Sequence, residues 1–87
     1  MHKDYDITKR TTTIGRRSDN DITIDSPDVS NRHARLNFEQ NYYLTDQRSS
    51  NGTYINGKKI LHAKLSDGDE IHFAGIYATF YEQAYQD

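Results

Sequence analysis

Three polar stretches of this sequence hold the side chains able to do chemistry. They are Gly15-Arg16-Arg17, Ser30-Asn31-Arg32-His33, and Ser49-Ser50-Asn51-Gly52-Thr53 running on into Asn56-Gly57-Lys58-Lys59. Arg16, Arg17, Arg32, Arg48, Lys58 and Lys59 lie in or beside them, six of the eleven basic residues, among serine hydroxyls, asparagine amides and glycines. Brought together at one end of a fold, these stretches would form a patch of hydrogen-bond donors with local positive charge. A phosphate group suits that inventory, because it carries roughly −1.5 to −2 charge and three acceptor oxygens. Arginine grips such a group as a fork, and hydroxyls and backbone N–H groups fill the remaining acceptors.

Other chemistries fit less well. Ser30 and His33 could pair as nucleophile and base, but no third orienting residue is indicated and no Gly-x-Ser-x-Gly elbow is present, so no catalytic residue is assigned. His2, His33, His62 and His72 have no recognised metal spacing. Asp19, Asp21, Asp25 and Asp28 lack the Glu-terminated twelve-residue pattern of a calcium loop and read as turn-forming and solubilising residues. No metal and no cofactor is expected. Nucleic acid is a poor match too: the net charge is −2, the pI about 6.0, and no basic stripe follows a strand face.

Positioning these stretches requires a scaffold that 87 residues can build as one domain, spanning 1–87 with a core over about 5–82. Leu, Ile, Val and Phe total only 16 residues, which is low for a folded chain. The small net charge and seven tyrosines argue for folding nonetheless, around a thin core with long polar loops. There is no cysteine, hence no disulfide or thiolate site, and no apolar run approaches the roughly 18 residues of a membrane span. The N-terminus lacks the apolar stretch of a signal peptide, so the chain reads as soluble, intracellular and cytoplasmic.

Period-two alternation is the main structural signal. Ala34, Leu36 and Phe38 alternate with Arg35, Asn37 and Glu39; Ile22 and Ile24 bracket Thr23; Ile71 and Phe73 bracket His72. Thr11–Ile14 and Tyr42–Thr45 are rich in β-branched and aromatic residues. Tyr77, Thr79 and Tyr81 alternate with Ala78 and Phe80, a pattern that predicts cover on both faces. Tyr5–Thr8 is a candidate first strand, and Ala84–Asp87 a frayed end. Turn chemistry separates the runs at Gly15, Ser26-Pro27-Asp28, Asn51-Gly52, Asn56-Gly57, Asp67-Gly68-Asp69 and Gly75. Many short strands with regular turns predict an all-β sandwich or barrel. Tyr42, Tyr43, Tyr77 and Tyr81 are expected to be core or half-buried, and Lys58 and Lys59 to be hairpin-edge charges.

In order and spacing, Gly15-Arg16, Ser30-x-x-His33 and Asn51-Gly52-Thr53-x-x-Asn56-Gly57 resemble the forkhead-associated (FHA) domain. Asp21-Ile22 and Leu65-x-x-Gly68-Asp69-x-Ile71-x-Phe73 fit the same pattern, so the likeness covers about residues 5 to 82. It implies a β-sandwich of two mostly antiparallel sheets, about eleven short strands in all, whose apical loops bind phosphothreonine in partner proteins. Arg16 would hold the phosphate, with the Ser30 and Ser50 hydroxyls joining it. Asn51 would bind the peptide backbone beside the phosphothreonine, and Asn31 would add a contact to phosphate or peptide. Gly15 and His33 would shape the loops from behind, Asn56 would tie loops together, and Gly52 and Thr53 would be structural. Arg17, Arg32 and Arg48 read first as surface charge, with peripheral electrostatic help as the alternative. The implied partner is a phosphothreonine-containing protein or peptide made by a Ser/Thr kinase, with no nucleic acid, no membrane and an open oligomeric state. A phosphate-independent protein-interaction domain of the same fold is the alternative. Family members with a basic residue two before the motif serine can select an acidic side chain three positions after the phosphothreonine. This chain has Asp28 there, so no acid preference is expected.

Overall fold

The computed structural model describes residues 3–82, and they form strands, turns and loops with no helix. Nine strands follow in chain order: β1 (Thr11–Gly15), β2 (Ile22–Thr23), β3 (Ala34–Glu39), β4 (Asn41–Asp46), β5 (Thr53–Ile55), β6 (Lys58–Ile60), β7 (His62–Lys64), β8 (Glu70–Phe73) and β9 (Ile76–Thr79). One sheet has the order β2-β1-β3-β4-β7 and the other β6-β5-β8-β9. All pairings are antiparallel except β1 with β2.

The alternation read from the sequence becomes the inner lining. Ile14, Leu36, Leu44, Ile55, Ile71 and Phe73 are buried between the layers, with Val29, Leu65 and Phe80 closing the ends. Each such side chain removed from water contributes about 1.5–3 kcal/mol, so a thin core still opposes the entropy of ordering the loops. Phe38, the third apolar residue of the β3 alternation, is largely exposed and stacks at an angle on Tyr42.

Four expectations need correction among the described residues. The strands number nine rather than eleven. Tyr5–Thr8 is not a strand: Ile7 packs against the core, but Tyr5 is exposed and the segment pairs with no neighbour as a ladder. The run from Tyr77 is not covered on both faces. Strand β9 is a sheet edge paired only with β8, all four of its residues are exposed, and only the following Phe80 is buried. Tyr77 and Tyr81 are accordingly exposed, whereas Tyr42 and Tyr43 are half-buried. The frayed end expected at Ala84–Asp87 lies outside the described residues. No helix among the described residues is long and apolar enough to cross a membrane.

Register fixes where the polar stretches go. Ile14 of β1 lies opposite Ala34 of β3, and Ala34 opposite Asp46 of β4. The end of β1, the start of β3 and the end of β4 therefore share one edge of the sandwich. Backbone bonds from His33 N–H to Ile14 O (2.9 Å) and from Gln47 N–H to His33 O (2.9 Å) carry the pairing past the strand ends. The three loops that meet there hold Arg16, Ser30-Asn31 and Ser50-Asn51.

Candidate functional site

The three loops enclose a shallow groove of about 340 Å³, lined by Arg16, Pro27, Asp28, Val29, Ser30, Asn31, Ser50 and Asn51. All five residues expected to contact a ligand line this one groove. Arg16 leaves β1 with its backbone N–H bonded to Ser30 O (3.0 Å). Its side chain is exposed and, among the described residues, hydrogen-bonds only to the Asn31 carboxamide oxygen, at 3.4 Å from both Nε and Nη2. No carboxylate pairs with it among the described residues, so the fork of donors is open to an incoming anion.

Ser30 is prepared in a different way. Its hydroxyl oxygen accepts the Ser50 backbone N–H at 2.9 Å. That contact uses an acceptor lone pair and leaves the hydroxyl proton to donate into the groove. It also ties the β2–β3 loop to the β4–β5 loop. Asn51 makes a second tie, donating Nδ2–H to Asp28 O at 2.7 Å and leaving its carbonyl oxygen uncommitted.

Support comes from below. His33 is wholly buried; Nδ1 accepts the Ser30 backbone N–H (3.1 Å) and Nε2 lies 2.8 Å from Gly52 O. A carbonyl can only accept, so the two contacts together assign the proton to Nε2. The imidazole thereby joins two of the three loops while its ring packs edge-on against Phe73. Gly15 fills a place no other residue could: a Cβ there would sit 2.2 Å from Asn31 O. Gly52 adopts φ +87°, with Thr53 fully buried behind it.

Other predicted residues lie elsewhere. Asn56 sits in the β5–β6 turn at φ 50°, outside the groove. It donates Nδ2–H to Asp69 (2.9 Å) and accepts the Glu70 N–H (2.9 Å), joining two turns. Arg17 pairs with Asp19 at 3.2 Å, and Arg32 bonds Asp19 and the Asn20 carboxamide, both at 2.9 Å. Arg48 is exposed at φ 56° and makes no ion pair among the described residues. Lys58 and Lys59 lie on the edge strand β6, with the Lys59 stem running beside Gly52.

Two residues of the site's frame were not singled out from the sequence. Asp46 accepts the Ser49 hydroxyl (2.5 Å), the Ser49 N–H (3.1 Å) and the Thr53 hydroxyl (2.8 Å). Burial raises its pKa, but the donors from Ser49 and Thr53 outweigh burial and hold the carboxyl below its ordinary value. The Asp46-x-x-Ser49 spacing, an Asx-turn pattern, was the available signal. Asn20 is the other, buried in a polar run whose composition resembles any solvated loop.

A family model described as the FHA domain matches residues 12–74. The chain is 41% identical over 78 residues to the transcriptional regulatory protein EmbR of Mycobacterium tuberculosis, covering 87% of this chain and 20% of that protein. It is 39% identical over 70 residues to the glycogen accumulation regulator GarA of the same organism, covering 79% of this chain and 43% of GarA. The chain thus spans from a fifth to less than half of these curated relatives. A structure of Mycobacterium tuberculosis EmbR in complex with a low-affinity phosphopeptide superposes with TM-score 0.87 at 37% identity, covering 93% of this chain and 22% of that one. A structure from a study of phosphothreonine-dependent FHA domain interactions gives TM-score 0.89 at 27% identity, covering 93% and 85%.

Proposed function

The chain belongs to the FHA domain family, and on that premise we propose that its groove binds phosphothreonine in a partner protein, making it a module for phosphorylation-dependent protein–protein interaction. The observation that carries this reading is the meeting of Arg16, Ser30, Asn31, Ser50 and Asn51 around one groove, with no carboxylate paired to the guanidinium among the described residues. Arg16 takes two phosphate oxygens as a fork. The Ser30 and Ser50 hydroxyls donate to the phosphate, Asn31 adds a polar contact, and Asn51 reads the peptide backbone beside the modified threonine. The threonine methyl adds an apolar contact, although Val29 in the groove lining is itself almost fully buried. A methyl is worth about 0.8 kcal/mol, enough for a several-fold preference over phosphoserine.

The module works by binding rather than catalysis. His33 spends its ring nitrogens on the Ser30 backbone and Gly52 O, so neither is left to take the Ser30 hydroxyl proton. The partner is the product of a Ser/Thr kinase, which places the interaction inside the cell; nucleic acid and membrane have no part in it. Asp28 lines the groove with an exposed carboxylate and disfavours an acidic side chain three residues after the phosphothreonine.

Titration against a phosphothreonine peptide library tests the reading, with unphosphorylated peptides and Arg16→Ala as controls. Losing a desolvated charged fork, at about 1.5–3 kcal/mol per hydrogen bond, should weaken binding by about a hundredfold or more. Equal affinity with and without phosphate would instead indicate a phosphate-independent interaction domain of the same fold. Strong enrichment of aspartate at the third following position would contradict the role given to Asp28.

A further inference from the structure

Asn20 is 7% exposed, although it lies in the polar run Arg17-Ser18-Asp19-Asn20-Asp21. Its side-chain amide nitrogen donates to two backbone carbonyls, Arg17 O and Asn31 O, both at 2.8 Å. These carbonyls belong to the two loops that carry Arg16 and Ser30: one follows Arg16 and the other follows Ser30. The amide oxygen accepts from Arg32 Nη1 at 2.9 Å, and Asp19 holds the other end of that guanidinium at 2.9 Å. Every polar atom of the Asn20 side chain is therefore in use; without it Asn31 O loses this donor, whereas Arg17 O keeps the Asn20 backbone N–H at 3.1 Å.

Other links across this gap include His33 N–H to Ile14 O at 2.9 Å and the Arg32–Asp19 ion pair at 2.9 Å. Arg16 N–H bonds Ser30 O at 3.0 Å, and the Arg16 side chain reaches Asn31 only at 3.4 Å. The guanidinium thus inherits its place from the backbone that bears it, and that backbone is tied to the facing wall by Asn20. Gly15 allows the approach, because a Cβ there would lie 2.9 Å from the Asn20 amide nitrogen.

Resting on the phosphothreonine reading, we infer that Asn20 is a positioning residue: its carboxamide sets the spacing between Arg16 and the Ser30–Asn31 wall, and so decides whether fork and hydroxyl aim at the same phosphate. Arg32 and Asp19 act behind it, orienting the amide so that its donors face the two carbonyls. These charges serve the site by holding Asn20 rather than by attracting the ligand.

The test compares the parent chain with Asn20→Ala, Asn20→Asp and Asn20→Ser. A phosphothreonine peptide selected from the library is titrated into each, and the ³¹P resonance of the bound phosphate is read at saturation. Asn20→Ala should bind about tenfold more weakly or worse, with affinity for the unphosphorylated peptide unchanged. Asn20→Asp keeps the shape and the Arg32 partner but turns acceptor oxygens towards both carbonyls, so it should bind no better than Asn20→Ala. Both should show a bound ³¹P resonance displaced from the parent's, because the clamp geometry differs even when full. Should Asn20→Ala not fold, Asn20→Ser keeps one donor and is expected to lose about threefold with the same displacement. The inference is overturned by full affinity in Asn20→Asp, by variants within about twofold of the parent, or by a parent-like resonance at saturation, the mark of a merely structural role. Parent-like variants with a phosphate-dependent parent remove this inference alone. A parent indifferent to phosphate removes the reading beneath it as well.

Discussion

Asp46 has no atom in the groove, yet the loop carrying Ser50 and Asn51 is held by its carboxylate. Gly52 N–H donates to the Ser49 hydroxyl (2.9 Å), which donates to Asp46, and the buried Thr53 hydroxyl donates to the same carboxylate oxygen. Replacing Asp46 by Asn puts an amide group where only acceptors fit, so at least one of these donors loses its partner. A lost partner of this kind costs about 1–3 kcal/mol. Asp46→Asn should therefore lower the unfolding free energy measured by urea titration by an amount in that range. It should also weaken phosphothreonine peptide by about three- to tenfold, well short of the loss in Arg16→Ala, because the residue acts on loop order and not on the phosphate. Equal losses in the two variants would give Asp46 a direct role in the groove. The contrast also shows what the residue types can and cannot tell. Arg16, Ser30 and Asn51 stand out because their motif spacing is specific. Asp46 and Asn20 do not, because an acid or amide in a polar stretch looks alike whether it faces solvent or a buried carbonyl.

At the level of strands and turns, legibility follows burial. Ala34 and Leu36 or Ile71 and Phe73 alternate with their neighbours because one face of each strand meets the core, and that face writes itself into the sequence. Strands β6 and β7, three residues each, carry mostly polar or exposed side chains, and β9 is exposed throughout. These elements exist through pairing with a neighbour, so their residues carry little periodic signal. The alternation around Tyr77 suggested burial because aromatic content does not distinguish an edge from a centre. Turns were more readable: Asn56-Gly57 takes φ 50° and 84°, as a two-residue hairpin requires. Two glycines separate backbone strain from site geometry. Gly57→Ala meets nothing within 4 Å but must adopt φ +84°, at a cost of about 1–2 kcal/mol in a turn remote from the groove. Gly15→Ala drives a Cβ to 2.2 Å from Asn31 O, so backbone must move, at about 1–3 kcal/mol or more. Thermal melts should show both variants destabilised. Peptide titration should separate them, with Gly57→Ala near parental affinity and Gly15→Ala weakened at least about tenfold. A parental affinity in Gly15→Ala would mean that the spacing of the two walls does not govern binding.

Across the whole molecule, the charges that stabilise the fold and the charge that governs the ligand titrate in different pH windows. Asp19 is held below the ordinary carboxylate range mainly by its hydrogen bond from Arg32, and Asp21 by that from Lys9. Asp46 is lowered as well, its donors overcoming burial. A carboxyl whose folded pKa is depressed adds stability above its unfolded value and loses it as pH falls through the folded one. Their contribution should thus persist down to about pH 5 and decline progressively as pH falls below about 4. The ligand changes earlier, because the phosphothreonine dianion takes up a proton near pH 6. A groove built around an unpaired guanidinium and hydroxyl donors favours the dianion, so affinity should fall several-fold between about pH 7 and pH 5, approaching tenfold per unit if only the dianion binds. Over the same interval the contribution of these three carboxylates to the melting temperature should stay level. To separate ligand charge from protein charge, the peptide is compared with its difluoromethylene phosphonate analogue, whose second ionisation lies lower. If ligand charge sets the affinity, the analogue's fall shifts to lower pH by the same interval as its pKa, on an unchanged protein. Identical pH profiles for the two peptides would place the titrating group in the protein, and a flat profile for both would mean that the groove does not sense the second phosphate charge.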